Sequence, residues 1–265
     1  MSEEKPKKKV VFCIPPYPER PYQVTVDALR AEVPIVEASG WEHAMVAEIG
    51  NPYISAARAT MLRKALDAKA TAIFFIDHDL SWTAGDLTKV LNTEGGLVAG
   101  TYRFKKDEEV YMGGINSGPD GTPIVRPTDG ALSADVAPAG FLKIERWAVC
   151  RLMEKYPELC YGEACAPSFD LFNHGAYKGR WWGEDYACCR RWVDMGEPFW
   201  IVPNIDVTHW LGDVPYHGNF HKFLMRQPGG SESENPVHPD ERKAQLMQKL
   251  AALKPAAQGV HVNGS

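Results

Sequence analysis

The run Ala72-Ile73-Phe74-Phe75-Ile76, followed at once by Asp77-His78-Asp79, constrains this chain more than any other feature. Five apolar residues, rich in β-branched and aromatic types, predict a strand buried on both faces. Such strands belong to open α/β sheets, where ligands gather outside the carboxyl ends of the strands. Asp77 and Asp79 stand two apart where the strand emerges, so an extended backbone sends both to one side. Two like charges there repel unless a cation lies between them, and oxygen donors suit Mg2+ or Mn2+. A strand-end turn or a helix N-cap is the plain alternative use of the same residues.

The chain has 265 residues, enough for one substantial core. A net charge of −5 gives no basic footprint for nucleic acid, and the run from Lys5 to Lys9 reads as a solvated tail. Six scattered cysteines with no CxxC pair, behind a charged start without a signal peptide, imply reduced thiols and a cytoplasmic protein. No apolar run approaches membrane-spanning length.

Strand and helix patterns alternate along the chain. Val10 to Ile14 predicts a first strand, ending in the turn Pro15-Pro16-Tyr17-Pro18. Thr25 to Glu32 predicts a short helix and Val33 to Ala38 a second strand. Ile54 to Ala68 predicts a helix on the stripe Ala57, Met61, Leu62, Ala65 and Leu66, with Ser55 as N-cap. Ala84 to Leu91 predicts a helix and Gly96 to Thr101 a buried strand. The turn-rich residues 105 to 137 predict antiparallel hairpins added to the sheet. Further on come a strand at Phe141 to Ile144, a helix at Arg146 to Tyr156, and a helix at Asp185 to Met195 stopped by Gly196. Phe199 to Val202 and Asp206 to Thr208 predict short strands. Residues 1–229 thus form one α/β domain. Residues 230–265 hold a linker, an amphipathic helix bearing Leu246, Met247, Leu250 and Leu253, and a disordered tail. That helix either docks on its own domain or joins two subunits.

At this point the stretch from Val10 to about Phe223 resembles a GT-A glycosyltransferase. Asp77-His78-Asp79 resembles the DxD motif, Pro138-Ala139-Gly140-Phe141 the glycine loop near the donor sugar, Gly183-Glu184-Asp185 the xED motif, and His209 the late metal-site histidine. All four fall in the family's order. The resemblance implies a Rossmann-like mixed sheet flanked by helices with small antiparallel additions. It implies a hexosyl- or pentosyltransferase using a nucleoside-diphosphate sugar, a UDP-sugar being favoured, and Mn2+ or Mg2+. The acceptor is a glycan or another hydroxyl compound. Compact enzymes of this sort also resemble viral and phage ones. A host-cytoplasm location and a modified nucleobase in DNA then enter as options, the latter disfavoured by the acidic net charge.

Each motif also has its own physical reason. A diphosphate leaves poorly unless its growing charge is neutralised, which a divalent cation does. Asp79 reads as the direct ligand, Asp77 as reaching the ribose or the metal through water, and His209 as a nitrogen ligand. The middle residue, His78, faces away from that pair. Only a residue without Cβ lets backbone and sugar meet closely at Gly140. Asp185 is implied as the general base of an inverting displacement, with Glu184 orienting hydroxyls. Burial beside Trp181 and Trp182 would raise that carboxyl, and those rings either line a sugar subsite or pack in the core. Pro15, Tyr17, Glu19 and Arg20 follow the first strand and resemble the family's loop around base and ribose. Arg58 either meets the nucleotide or locks Asp77. Among Tyr102-Arg103-Phe104-Lys105, the cations face phosphate or solvent. Residues 212 to 222 read as a closing loop hinged at Gly212 and Gly218, bringing His217 or Lys222 to the leaving phosphate.

Two rival functions remain on this reading. A nucleotidyltransferase acting on sugar phosphates also uses strand-end carboxylates and Mg2+, but the turn after the first strand lacks its glycine-rich basic signature. A non-catalytic sugar-nucleotide or glycan-binding protein of the same fold would have no need of Asp77, Asp79, Asp185 and His209 together.

Overall fold

A computed structural model describes residues 8–17 and 20–227. The C-terminal helix anticipated between residues 241 and 253, and the boundary at residue 229, lie outside the described residues. Within them the chain is a mixed α/β fold whose main sheet has helices on both faces. In chain order the first half comprises β1 (Lys8–Ile14), α1 (Gln23–Ala38), β2 (Trp41–Ala47), α2 (Ile54–Asp67), β3 (Ala72–Ile76), β4 (Leu80–Trp82), α3 (Asp86–Asn92) and β5 (Leu97–Ala99). Then follow β6 (Gly114–Ile115), β7 (Leu132–Val136), β8 (Phe141–Glu145), α4 (Arg146–Lys155), β9 (Cys160–Tyr161), β10 (Ser168–Phe169), β11 (Gly175–Tyr177) and β12 (Arg180–Trp182). The last elements are α5 (Glu184–Asp194), β13 (Phe199–Ile201), β14 (Asp206–Leu211), β15 (Val214–Asn219) and α6 (Phe220–Arg226).

The eight-stranded sheet runs β2-β1-β3-β8-β5-β13-β7-β6. β1 pairs in parallel with β2 and β3, and β13 in parallel with β5. β8 is inserted antiparallel between β3 and β5, and β7 and β6 extend the sheet antiparallel. Small antiparallel pairs, β9 with β10 and β11 with β12, are added outside it. This is the mixed sheet with antiparallel additions anticipated from the resemblance.

Period-two alternation sends successive strand residues to opposite faces. Val11, Cys13, Ile73 and Phe75 meet Met61, Leu62 and Ala65 of α2, Val149 and Leu152 of α4, and Trp192 of α5. Val10, Phe12, Phe74 and Ile76 meet Leu29 and Val36 of α1 and Leu87 and Val90 of α3. All five residues of β3 are fully buried, as its continuous apolar run requires.

Three expectations are corrected. Val33–Ala38 is not a strand: α1 runs through it, Pro34 included, and the second strand is Trp41–Ala47. β-branched residues at 33, 35 and 36 favour a strand locally, but the buried stripe Thr25, Leu29, Glu32 and Val36 continues the helical period. Glu32 fastens it by accepting hydrogen bonds from Trp82 Nε1, Gly85 N and both donors of Thr88. Ser55 is not the cap of α2. The capping position is Tyr53, whose N–H is taken by Asn51 Oδ1 at 3.0 Å. Residues 212 to 222 are not a free loop: they form the turn of the β14–β15 hairpin, then β15, then the start of α6. Gly218 sits inside β15 with the Tyr111 ring against it, which is no place for a hinge. Gly196, by contrast, does stop α5, at φ +79°.

Candidate active site

The site forms where β3 and β5 end and β8 begins. Asp77 N–H donates to the Gly140 carbonyl at 2.9 Å, so the β3–β8 ladder carries the aspartate and the glycine together out of the sheet. From Asp79 the chain enters β4, which pairs antiparallel with β14, and Leu80 stands opposite His209. Trp210 N–H donates to the Asp79 carbonyl at 2.9 Å, and Asp206 N–H to Asp86 Oδ2 at 2.9 Å. A three-stranded sheet, β15-β14-β4, thereby carries a histidine to an aspartate far away in sequence.

His209 Nε2 lies 3.6 Å from Asp79 Oδ1. Its Nδ1 is 2.9 Å from the Arg103 carbonyl, so Nδ1–H donates there and Nε2 is turned toward the carboxylate. The Tyr102 ring meets the imidazole edge-on at 4.9 Å between centroids. Lys105 Nζ takes the other oxygen of Asp79 at 2.5 Å. Burial alone would raise the Asp79 carboxyl, but hydrogen bonds from His209 and Lys105 outweigh it and hold the group at about 2.

Asp77 faces other partners. Arg58 donates to its Oδ1 at 2.9 Å and the Tyr102 hydroxyl to its Oδ2 at 3.0 Å. The Arg58 side chain is 3% exposed and its guanidinium lies 5.6 Å from the ring centres of Phe75 and Phe172. It also donates to the Ala139 carbonyl at 3.3 Å and approaches Glu184 Oε1 at 3.8 Å. Burial disfavours its charge, yet Asp77, Glu184 and Asp185 together raise the guanidinium above its ordinary value. Of the two roles open to Arg58, the geometry selects locking Asp77, and it adds a link to the glycine loop and the start of α5. At Gly140 a Cβ would fall on the Asp77 carboxylate and the Tyr102 hydroxyl, so this close approach admits glycine alone.

Glu184 and Asp185 open α5. Burial and then the neighbouring Glu184 push the Asp185 carboxyl up to about 6, with Arg58 opposing. Trp181, expected to bury this carboxyl, is itself 73% exposed. With Trp182, Tyr186, Arg180, Arg190 and Asp135 it lines a cleft of about 390 Å3 beside the start of α5.

The remaining anticipated residues do not join this group. Pro15 is buried behind β1, while Tyr17 and Arg20 are exposed beyond it, at the sheet edge from which Asp77 also leaves. Glu19 lies outside the described residues. The His78 ring packs edge-on against Tyr22, and its carbonyl accepts from Tyr22 N and Thr25 Oγ1, both at 2.8 Å, anchoring α1. Lys222 is exposed on α6, with its ammonium toward Asp206 at 3.3 Å. His217 pairs with Thr208 Oγ1 at 2.7 Å. Tyr102 escaped the sequence reading, and Lys105, read there as facing phosphate or solvent, meets the Asp79 carboxylate. Tyr102 carried no signal. Lys105 stood among cations at a strand end, a placement that does not tell phosphate from a carboxylate.

Among the described residues no three His, Cys, Asp or Glu side chains converge as a ready metal cage. Asp79 and His209 face each other, while Arg58 and Tyr102 take the two oxygens of Asp77. One carboxylate and one imidazole, oriented by a backbone carbonyl, fit a divalent ion that keeps most of its shell for phosphate and water.

No protein-family model matches the chain, and no curated protein matches it. Solved structures that overlap it include the A197 protein from STIV, at 15% identity over 77% of this chain and 86% of that one, TM-score 0.45. GalNAc-T7, crystallised with UDP, GalNAc and Mn2+, overlaps at 11% identity over 76% of this chain and 43% of its own, TM-score 0.42. The catalytic domain of Drosophila beta1,4-galactosyltransferase 7 with xylobiose overlaps at 12% identity over 95% and 82%, TM-score 0.42. Overlaps this loose carry no argument about the site. Among the described residues no helix is long and apolar enough to cross a membrane.

Proposed function

We propose that this protein is a glycosyltransferase that moves a sugar from a nucleoside-diphosphate sugar to an acceptor hydroxyl, with inversion, in the presence of Mn2+ or Mg2+. The observation that carries the reading is the Asp79–His209 pair, a carboxylate oxygen and an imidazole nitrogen facing each other at 3.6 Å just beyond the carboxyl end of β3. Asp79 and His209 would hold the cation, which supplies charge neutralisation for the departing diphosphate.

The chain's own residues do the rest. Gly140 lets Asp77 and Tyr102 pack directly against the backbone, and Arg58 and Tyr102 hold Asp77 in one orientation. Asp185 takes the acceptor proton. A carboxyl titrating at about 6 is ionised at neutral pH yet basic enough to accept it. The acceptor oxygen forms its bond to the anomeric carbon as the bond to the phosphate oxygen breaks, and that electron pair leaves with the diphosphate. The exposed Trp181 face beside Asp185 supports a saccharide acceptor stacked in the adjoining cleft.

The test is donor hydrolysis across a panel of nucleotide sugars with Mn2+, acceptor omitted. Slow release of free nucleotide from at least one donor, abolished in Asp79→Ala and strongly reduced in Asp185→Ala, supports the reading. Turnover that needs pyrophosphate points instead to a nucleotidyltransferase, and nucleotide binding without any turnover points to a binding protein.

A further inference from the structure

Among the described residues, Lys105 is a cation at the centre of the site that the chemistry above leaves unused. Its Nζ lies 2.5 Å from Asp79 Oδ2, while the opposite oxygen faces His209. This is not a wandering surface lysine. Its loop is fastened on both sides: Phe104 N–H donates to the Val110 carbonyl at 2.9 Å. Arg103 donates to the carbonyls of Lys106 at 3.1 Å, Asp107 at 2.9 Å and His217 at 3.3 Å. The Arg103 carbonyl in turn receives His209 Nδ1. One short segment therefore orients the imidazole and delivers the ammonium to the same carboxylate.

We propose that Lys105 is a resident counter-cation: it neutralises Asp79 in the empty enzyme and yields that carboxylate only when a divalent ion enters together with an anionic nucleotide. The inference rests on the metal-dependent reading above. A divalent ion between Asp79 and His209 would face an ammonium on the same carboxylate, and like charges at that range repel strongly. The ammonium has to leave. A free ion gives it no new partner, whereas a diphosphate does. A lysine, a point charge on a flexible stem with rotatable donors, can re-aim without moving its loop. By linkage, nucleotide and metal must then strengthen each other's binding.

The test is Mn2+ affinity, read by electron paramagnetic resonance of the free ion, with and without UDP. Wild type should bind free Mn2+ weakly and at least about tenfold more tightly with UDP present. Lys105→Met should bind free Mn2+ about tenfold more tightly than wild type and lose most of the UDP enhancement. Lys105→Arg, which keeps the charge, should resemble wild type. Equal free-ion affinities in wild type and Lys105→Met, with Mn2+ and UDP still binding together, overturn the role of Lys105 and leave the transferase reading standing. Should Lys105→Met not fold, the wild-type comparison decides alone: no UDP enhancement of Mn2+ binding overturns the proposal. Absence of Mn2+ binding in every protein, with UDP or without, overturns both readings.

Discussion

The buried guanidinium of Arg58 pairs with the partly exposed carboxylate of Asp77 at 2.9 Å, and the same guanidinium reaches Glu184 at 3.8 Å and the Ala139 carbonyl at 3.3 Å. One buried cation thus joins the end of β3, the glycine loop before β8 and the first turn of α5. The three segments come from distant parts of the chain, and each carries a proposed functional residue. Breaking a buried pair by removing one partner costs about 3–5 kcal/mol, because the other charge is stranded. Arg58→Met leaves carboxylates that are partly solvated, so it should lower stability by about 1–3 kcal/mol, and Arg58→Lys should not fully restore it, since a point charge cannot replace the fork. The double variant Arg58→Met/Asp77→Asn should recover part of the loss. Urea denaturation of wild type, Arg58→Met, Asp77→Asn and the double variant reads the coupling, and strictly additive losses would contradict it.

Gly140→Ala tests the close approach. The new Cβ would meet the Asp77 carboxylate and the Tyr102 hydroxyl, and Asp77 cannot retreat while Arg58 holds it. The expected loss is about 1–3 kcal/mol of stability. Binding of a nucleotide sugar should weaken as well. A variant with unchanged melting temperature and unchanged donor affinity would show that the crevice is open at this point.

Asp185 gives a pH signature of definite sign. Its carboxyl titrates at about 6 in the folded protein against an ordinary value of 3.8, so ionising it costs the native state. That cost is fully present above about pH 6 and vanishes below the ordinary carboxylate range. Asp185→Asn should then be more stable than wild type at pH 8, by about 1–3 kcal/mol, with the difference falling to about 0.5 kcal/mol near pH 4. Transfer by wild type should fall about tenfold for each pH step of one below pH 6. Thermal melts from pH 4 to 8 beside a pH–rate profile decide the matter. Lower stability of Asp185→Asn at pH 8 contradicts the assignment.

Asp79 has the opposite sign. Its folded carboxyl is held at about 2, below the ordinary 3.8, so its interactions stabilise the protein above that ordinary value and are lost as pH falls toward 2. Asp79→Asn should be less stable than wild type by about 2 kcal/mol at pH 5 to 8, the gap closing below pH 4. Urea midpoints across that range measure it, and a gap that persists at pH 2 would be contrary to the account.

How much of this was legible in the sequence varied with the range of the interactions involved. β3 and the carboxylates after it were readable because a short, continuous apolar run has a single use in such a sheet. α2 was readable from its stripe and α5 from the glycine that ends it. The second half of α1 was not, because what holds it helical is Glu32 meeting Trp82, Gly85 and Thr88, all about fifty residues away. The pairing of Leu80 with His209 follows from strand register, which no local pattern encodes. For the same reason the Lys105–Asp79 contact and the Tyr102 hydroxyl on Asp77 emerged only in three dimensions.

The central claim is that Asp79 and His209 form a cation site that operates on a nucleoside diphosphate. Calorimetric titration of UDP into the protein with and without Mn2+, for wild type, Asp79→Asn and His209→Ala, tests it most directly. The account predicts heat from UDP that depends on Mn2+ in wild type, is abolished in Asp79→Asn and is weakened about tenfold or more in His209→Ala. UDP binding that ignores Mn2+, or that survives unchanged in Asp79→Asn, would contradict it.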